Sequence, residues 1–345
     1  MDKCEFKRVL DQVKPTPEQE QAMLNRLLTD QKEVKPMKCT KKITAVLVAA
    51  ALLLMACAFT VVTGVDQRLL SLFQGNKQDA QQIAEGVVSV GESYTYDNGW
   101  TVEIEQVLVD RYSLAVLVEL IGPEGTALNG DDYFIDFTTK IVPEDGEGVG
   151  SYVSGSTVLE DENPGDNRVS LLWQRGPSTF LKSGMQSMIG CEITLRPTWL
   201  EQGGSQGTIA DFREDQRTFT IQLPEKDSGW TYQLECPLQV DEETMTLESL
   251  YISPISVACF VNGTPNDSRM WGPPGLSGIY ESLRLNMANG NSVAMSQSVS
   301  QSYNPESGEG WLVFQTERII EPENVVSVTL LSQTLPLEAL TPAEE

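Results

Sequence analysis

The chain has 345 residues, with 49 Asp and Glu against 24 Lys and Arg, a net charge of −25 and no histidine. The missing imidazole excludes Ser-His-Asp and Cys-His catalysis and every His-containing zinc site. The excess of acid opposes binding to nucleic acid and to anionic lipid or polymer.

Residues 1–42 read as a cytoplasmic helical segment. Phe6, Val9, Leu10 and Val13 step at i, i+3, i+4 and i+7, one face of a helix that Pro15 ends. Thr16-Pro17-Glu18-Gln19 is a start signal: Thr16 caps, Pro17 fits the first turn and Gln19 completes a capping box. Met23, Leu24, Leu27 and Leu28 supply the apolar face of a second helix. Two such short helices cannot close a core, so their apolar stripes need a partner, a dimer mate or each other.

Ile43–Thr63 carries no charge over twenty-one residues. As a helix it spans about 30 Å, the thickness of a bilayer's hydrocarbon core. Lys35, Lys38, Lys41 and Lys42 precede it. Residues 1–42 hold ten basic and seven acidic side chains, a net of +3; the remainder carries −28. The positive-inside rule then predicts a single-pass protein of the cell membrane, N-terminus cytoplasmic and C-terminus extracellular, with Ile43–Thr63 in the lipid bilayer. A cleaved signal peptide, or a lipoprotein box at Leu54-Met55-Ala56-Cys57, fits less well behind forty-two residues of helical character.

Leu69, Leu70, Leu72 and Phe73 continue a helical pattern until Gly75-Asn76, so 64–86 reads as an extracellular helical stalk. From Val87 the period changes to two. Trp100, Val102 and Ile104 alternate, as do Leu114, Val116, Val118 and Leu120, with Asp97-Asn98-Gly99 as a turn signal. Further strands are expected around 133–137, 169–173, 189–195 and 219–223. Pro224–Gly229 reads as a boundary. Seven short strands follow, at 232–238, 244–252, 255–261, 279–287, 292–299, 311–316 and 325–331. Ala288-Asn289-Gly290-Asn291 marks a hairpin between two of them. The fold class is therefore a mainly β ectodomain of two β-sandwich, Ig-like domains, 87–224 and 225–336, with a tail at 337–345.

No residue is singled out for catalysis, a cofactor or a metal, and the chain does not read as an enzyme. It has no GxSxG, P-loop or dinucleotide fingerprint, and no CxxC. Glu160–Asn167 crowds oxygen ligands without the calcium-loop spacing. Cys191, Cys236 and Cys259 fall on apolar strand faces and read as buried thiols, with a Cys236–Cys259 disulfide as the alternative. Trp100, Trp230 and Trp311 lie in strand patterns and read as core. Trp271, in a Pro- and Gly-rich loop, is the aromatic placed for contact with an envelope ligand.

The layout resembles single-pass membrane anti-sigma-factor-like proteins of low-GC Gram-positive bacteria that carry domain of unknown function 4179. The resembling stretches are Thr16–Leu28 before the basic flank, the apolar run, residues 90–110 (VGESYTYDNGWTVEIEQVLVD) and residues 247–257 (LESLYISPISV). The resemblance implies signal transduction that regulates transcription. Outer domains sense an envelope state, and inner helices hold an extracytoplasmic-function sigma factor through Phe6, Val9, Leu10, Val13, Met23, Leu24, Leu27 and Leu28. The zinc-binding His and Cys of many anti-sigma domains are missing, so that contact would be zinc-independent. The alternatives are a membrane-anchored surface binding or adhesion module without a sigma partner, and a cell-envelope enzyme.

Overall fold

The computed structural model describes residues 64–76, 79–128, 132–142, 152–159, 165–177, 187–203, 207–240, 243–263, 279, 281–303 and 307–337. The inner helices with their eight proposed contact residues, the apolar run 43–63, Trp271 and most of the acidic loop at 160–167 lie outside these residues. Among the described residues no helix is long and apolar enough to cross a membrane.

The described chain is mainly β, and every strand pair is antiparallel. The first nine strands are β1 (Val87–Thr95), β2 (Thr101–Val109), β3 (Leu114–Ile121), β4 (Tyr133–Val142), β5 (Tyr152–Val158), β6 (Arg168–Pro177), β7 (Glu192–Gln202), β8 (Gly207–Asp211) and β9 (Phe219–Gln222). They form a five-stranded sheet, β1-β2-β3-β6-β5, and a four-stranded sheet in which β4, β8 and β9 pair with β7. Val102, Ile104, Val116, Val118 and Trp173 of one sheet share a core with Ile135, Phe137, Ile193, Leu195 and Phe219 of the other. Asp97-Asn98-Gly99 is the expected turn: Gly99 takes φ +83°, and Tyr96 N–H donates to the Trp100 carbonyl at 2.8 Å.

Eight strands follow: β10 (Trp230–Val240), β11 (Glu243–Ile252), β12 (Ser256–Asn262), β13 (Arg284–Met287), β14 (Ser292–Tyr303), β15 (Glu309–Thr316), β16 (Val325–Leu330) and β17 (Gln333–Pro336). They run in one hydrogen-bonded order, β10-β11-β12-β15-β14-β13-β16-β17. β14 joins the two halves: Ser292–Ala294 pair with β13, while Met295–Tyr303 pair with β15 through two register shifts. The sheet thereby turns back on itself, and Leu250, Cys259, Leu312 and Phe314 share a core with Leu285, Val325 and Val328. Ile279–Met287 is not strand throughout, since Leu283 N–H closes a helical turn on the Ile279 carbonyl before β13 begins.

The two modules share one strand order, apart from β9, which has no counterpart among the described residues of the second module. Adding nine to each strand number converts β1-β2-β3-β6-β5 into β10-β11-β12-β15-β14, and β4-β7-β8 into β13-β16-β17. Register agrees: Leu108↔Ala115 beside the first hairpin turn corresponds to Tyr251↔Ala258 beside the second.

Residues 64–86 correct the stalk expectation. They are helical, as α1 (Gln67–Leu72), α2 (Asp79–Ile83) and a 3-10 turn, Ala84–Gly86, but they are packed into the body of the protein. Val65, Leu69, Leu70, Phe73, Ala80 and Ile83 lie against Leu108, Ala115, Leu117 and Leu172 of the five-stranded sheet and against Ile255 and Ile319 of the second module. A six-residue helix has no stability of its own in water and must borrow it from packing. The sheet beneath is covered on both faces, which explains β3. Its sequence LAVLVELI is apolar at Ala115 and Leu117 as well as at the period-two positions.

Trp100 and Trp311 are buried, while Trp230 is 40% exposed and is not core. Cys236 and Cys259 are not bonded to each other, so the disulfide alternative is not realised; Cys191 and Cys259 are buried and Cys236 is half-buried.

Module contact is tight at Gly176 in β6, where an added Cβ would come 2.5 Å from the Ser300 Cβ of β14. Gly176→Val should destabilise by about 1–3 kcal/mol in urea unfolding. Gly155→Val in β5, where an added Cβ meets nothing within 4 Å, should not.

Candidate functional site

The β2–β3 turn of the first module meets the equivalent β11–β12 turn of the second. Asp110 caps its own turn, Oδ1 accepting from the N–H groups of Tyr112 at 2.8 Å and Ser113 at 2.7 Å. Ser253 does the same for the second turn, Oγ accepting from Ile255 N–H at 3.1 Å and Ser256 N–H at 2.9 Å. The two turns are then bridged: the hydroxyls of Ser253 and Ser256 each donate to Asp110 Oδ2 at 2.5 Å. Asp110 is 1% exposed. Burial pushes its carboxyl up to about 6, against four hydrogen bonds that favour the charged form.

Packing around this bridge is reciprocal. Tyr112 of the first turn lies among Tyr251 and Ala258, with its ring centroid 5.0 Å from that of Tyr251. Its counterpart in the second turn, Ile255, lies among Leu108 and Ala115. Each module thus presents the same surface to the other, as the subunits of a two-fold dimer do.

The segment between the modules is fastened to the same joint. Asp227 Oδ2 accepts from Arg111 Nε at 2.7 Å, and its Oδ1 accepts from the Tyr251 hydroxyl at 2.7 Å and from Gly229 N–H at 2.9 Å. A Cβ on Gly229 would run into the Tyr251 ring. Three amides close the far side: Gln297 Nε2 donates to Gln174 Oε1 at 2.5 Å and to Gln315 Oε1 at 2.8 Å, and Gln174 Nε2 donates to Gln315.

The helical segment enters through a β-bulge. The β2–β3 register shifts between Ile104 and Gln106, so Glu105 and Gln106 are both available to the helical segment. Gln106 Oε1 accepts from Asp66 N–H at 2.8 Å, while its Nε2 donates to the Gly64 carbonyl at 2.6 Å. Arg68 reaches across three strands, bonding Asp66 at 3.0 Å, Glu105, Glu119 at 3.5 Å and the Ser170 hydroxyl at 2.9 Å. One guanidinium therefore serves three carboxylates. Burial pushes Glu105 up to about 7; Arg68 opposes the shift, and Glu119, Asp66 and Glu103 add to it.

None of the residues that sequence reasoning nominated for function is brought into this site, because all of them lie outside the described residues. The joint residues were missed. The signals available were an isolated acid in the apolar run VLVDRYSLAV and the Ser253-Pro254 turn pair. No group of three acidic or sulfur-bearing side chains among the described residues is disposed to hold a metal ion.

No family model matches the chain, and no curated protein does. Among solved structures it is similar to a conserved domain protein from Bacillus anthracis. The likeness covers 71% of this chain and 76% of that one, at 14% identity and a TM-score of 0.45.

Asp110→Ala leaves two hydroxyls and two N–H groups without their acceptor, and should destabilise the chain by about 3–5 kcal/mol in urea. The pH dependence has a definite sign. Burial raises the Glu105 carboxyl from an ordinary 4.5 to about 7 in the folded protein, so between those values the folded state holds a proton the unfolded state has lost. Stability should fall as pH rises from about 4 to 7, and Glu105→Gln, which cannot titrate, should flatten that slope in unfolding midpoints measured from pH 5 to 8.

Proposed function

We propose that the chain is a single-pass membrane regulator of the anti-sigma-factor-like kind. Ile43–Thr63 spans the membrane, the two β modules stand outside as a pair of Ig-like sandwiches that sense an envelope state, and residues 1–42 hold an extracytoplasmic-function sigma factor. The inner contact is made by Phe6, Val9, Leu10, Val13, Met23, Leu24, Leu27 and Leu28, laid as helix faces into a groove of the partner. No cofactor, nucleic acid or catalytic step is involved.

The observation that carries the reading is how the chain continues after the apolar run. Gly64, the next residue, is held by Gln106, Arg68 is held by Glu105 and Glu119, and Leu69, Leu70 and Phe73 are buried where both modules meet. A change in the relation of the modules therefore alters the support of the residues that follow the apolar run. An adhesive head needs only a flexible tether, whereas a signalling head needs this rigid attachment.

In cells carrying the full chain and a reporter for its sigma factor, Leu24→Asp with Leu27→Asp should raise reporter output about tenfold, the effect of ~1.4 kcal/mol on the inner complex. Unchanged output, with no sigma factor recovered alongside the wild-type chain, would exclude the reading.

A further inference from the structure

The helical segment 64–86 is fastened to the five-stranded sheet over a patch of like charge. Glu105 of β2 and Glu119 of β3 both bond Arg68 of α1, and Glu103 of β2 stands directly opposite Glu119 in the ladder. Like charges in that position repel. Asp66, the N-cap of α1, brings a fourth carboxylate, accepting from Arg68 N–H at 2.8 Å. Glu92 of β1, paired with Ile104, is exposed at the margin.

Two guanidiniums answer these acids. Arg168 bonds Glu119 from β6; it is 56% exposed, and Asp166 accepts from its N–H at 2.7 Å. Arg68 is the cation that the segment itself supplies, and among the described residues of 64–86 no other side chain is basic. Acid therefore exceeds base around Arg68 whenever Glu105 is ionised. Glu105 lies beneath that guanidinium with its side chain 22% exposed. Burial holds its carboxyl up at about 7, with Arg68 opposing the rise and Glu119, Asp66 and Glu103 adding to it. With the segment lifted, the carboxyl meets water and returns toward an ordinary 4.5. Docking is thus strongest below 4.5 and weakens as pH rises through 7, where the docked state gives up its extra proton.

The segment is also separable from what it covers. Helices of six and five residues do not persist alone, whereas each β module has a core of its own. We propose that residues 64–86 are a proton-controlled strap, clamped on the five-stranded sheet while Glu105 is protonated and loosened by its deprotonation, with both modules staying folded. Mild alkalinity then slackens the connection between the apolar run and the β modules. The strap depends on the docked geometry and on no sigma partner, so it stands whether or not the inner segment binds one.

The test is deuterium exchange of the full chain in detergent micelles, read for α1 and for β3 and corrected at each pH for the chemical rate of an unprotected amide. Protection of α1 should fall about tenfold from pH 5.5 to pH 8, while that of β3 stays unchanged. Glu105→Gln, which cannot ionise, should hold α1 at its acid-side protection across the range. Glu92→Gln, which removes the same charge from the exposed margin, should keep the fall. Three results would overturn the proposal: α1 protection independent of pH in the wild-type chain, loss of protection in β3 in step with α1, or an undiminished fall in Glu105→Gln.

Discussion

A carboxylate without a contacting cation, buried to 1% exposure, is the constraint on which the rest depends. Asp110 has two backbone N–H donors from its own turn and two hydroxyl donors from the other module. Taking an ion out of water costs several kcal/mol, and only a complete set of donors offsets that. Half of the set belongs to Ser253 and Ser256. The first module alone would expose an acid in place of a satisfied one, and the second alone would leave two serines facing water. The modules are therefore a unit held by chemistry as well as by apolar packing.

The same joint organises the helical segment. Because the five-stranded sheet turns its second face toward α1 and α2, the bulge at Glu105 becomes a docking point. Arg68 and Gln106 secure the chain there by charge and by backbone hydrogen bonds respectively. Leu108, Ala115 and Leu117 serve both the helices and Ile255 of the other module. A shift of either module is felt in a single apolar cluster.

Much of the β architecture was legible, and the reasons for the gaps are specific. Period-two apolar residues located β2, β3, β6 and most of the second series, and Asp97-Asn98-Gly99 and Asn289-Gly290 located their turns. β5, with the sequence YVSGSTV, and β8, GTIAD, carry too few large apolar residues to register. The 64–86 segment read correctly as helical but wrongly as free-standing, because Leu69 and Leu70 say that a face is buried without saying against what. The shared topology was invisible because the two modules have the same strand order and hairpin register while differing at matched positions: Asp110 against Ser253, Leu108 against Tyr251.

A self-complementary face carried twice in one chain has a consequence at high protein concentration. Two neighbouring molecules have all the parts needed to trade second modules, each first module accepting its neighbour's partner in the same geometry. The short linker counters this by keeping the correct partner at an effective concentration in the millimolar range. Asp227 adds a lock, since exchange must first break its bonds to Arg111 and Tyr251. The linker thereby acts as the chain's guard against domain swapping.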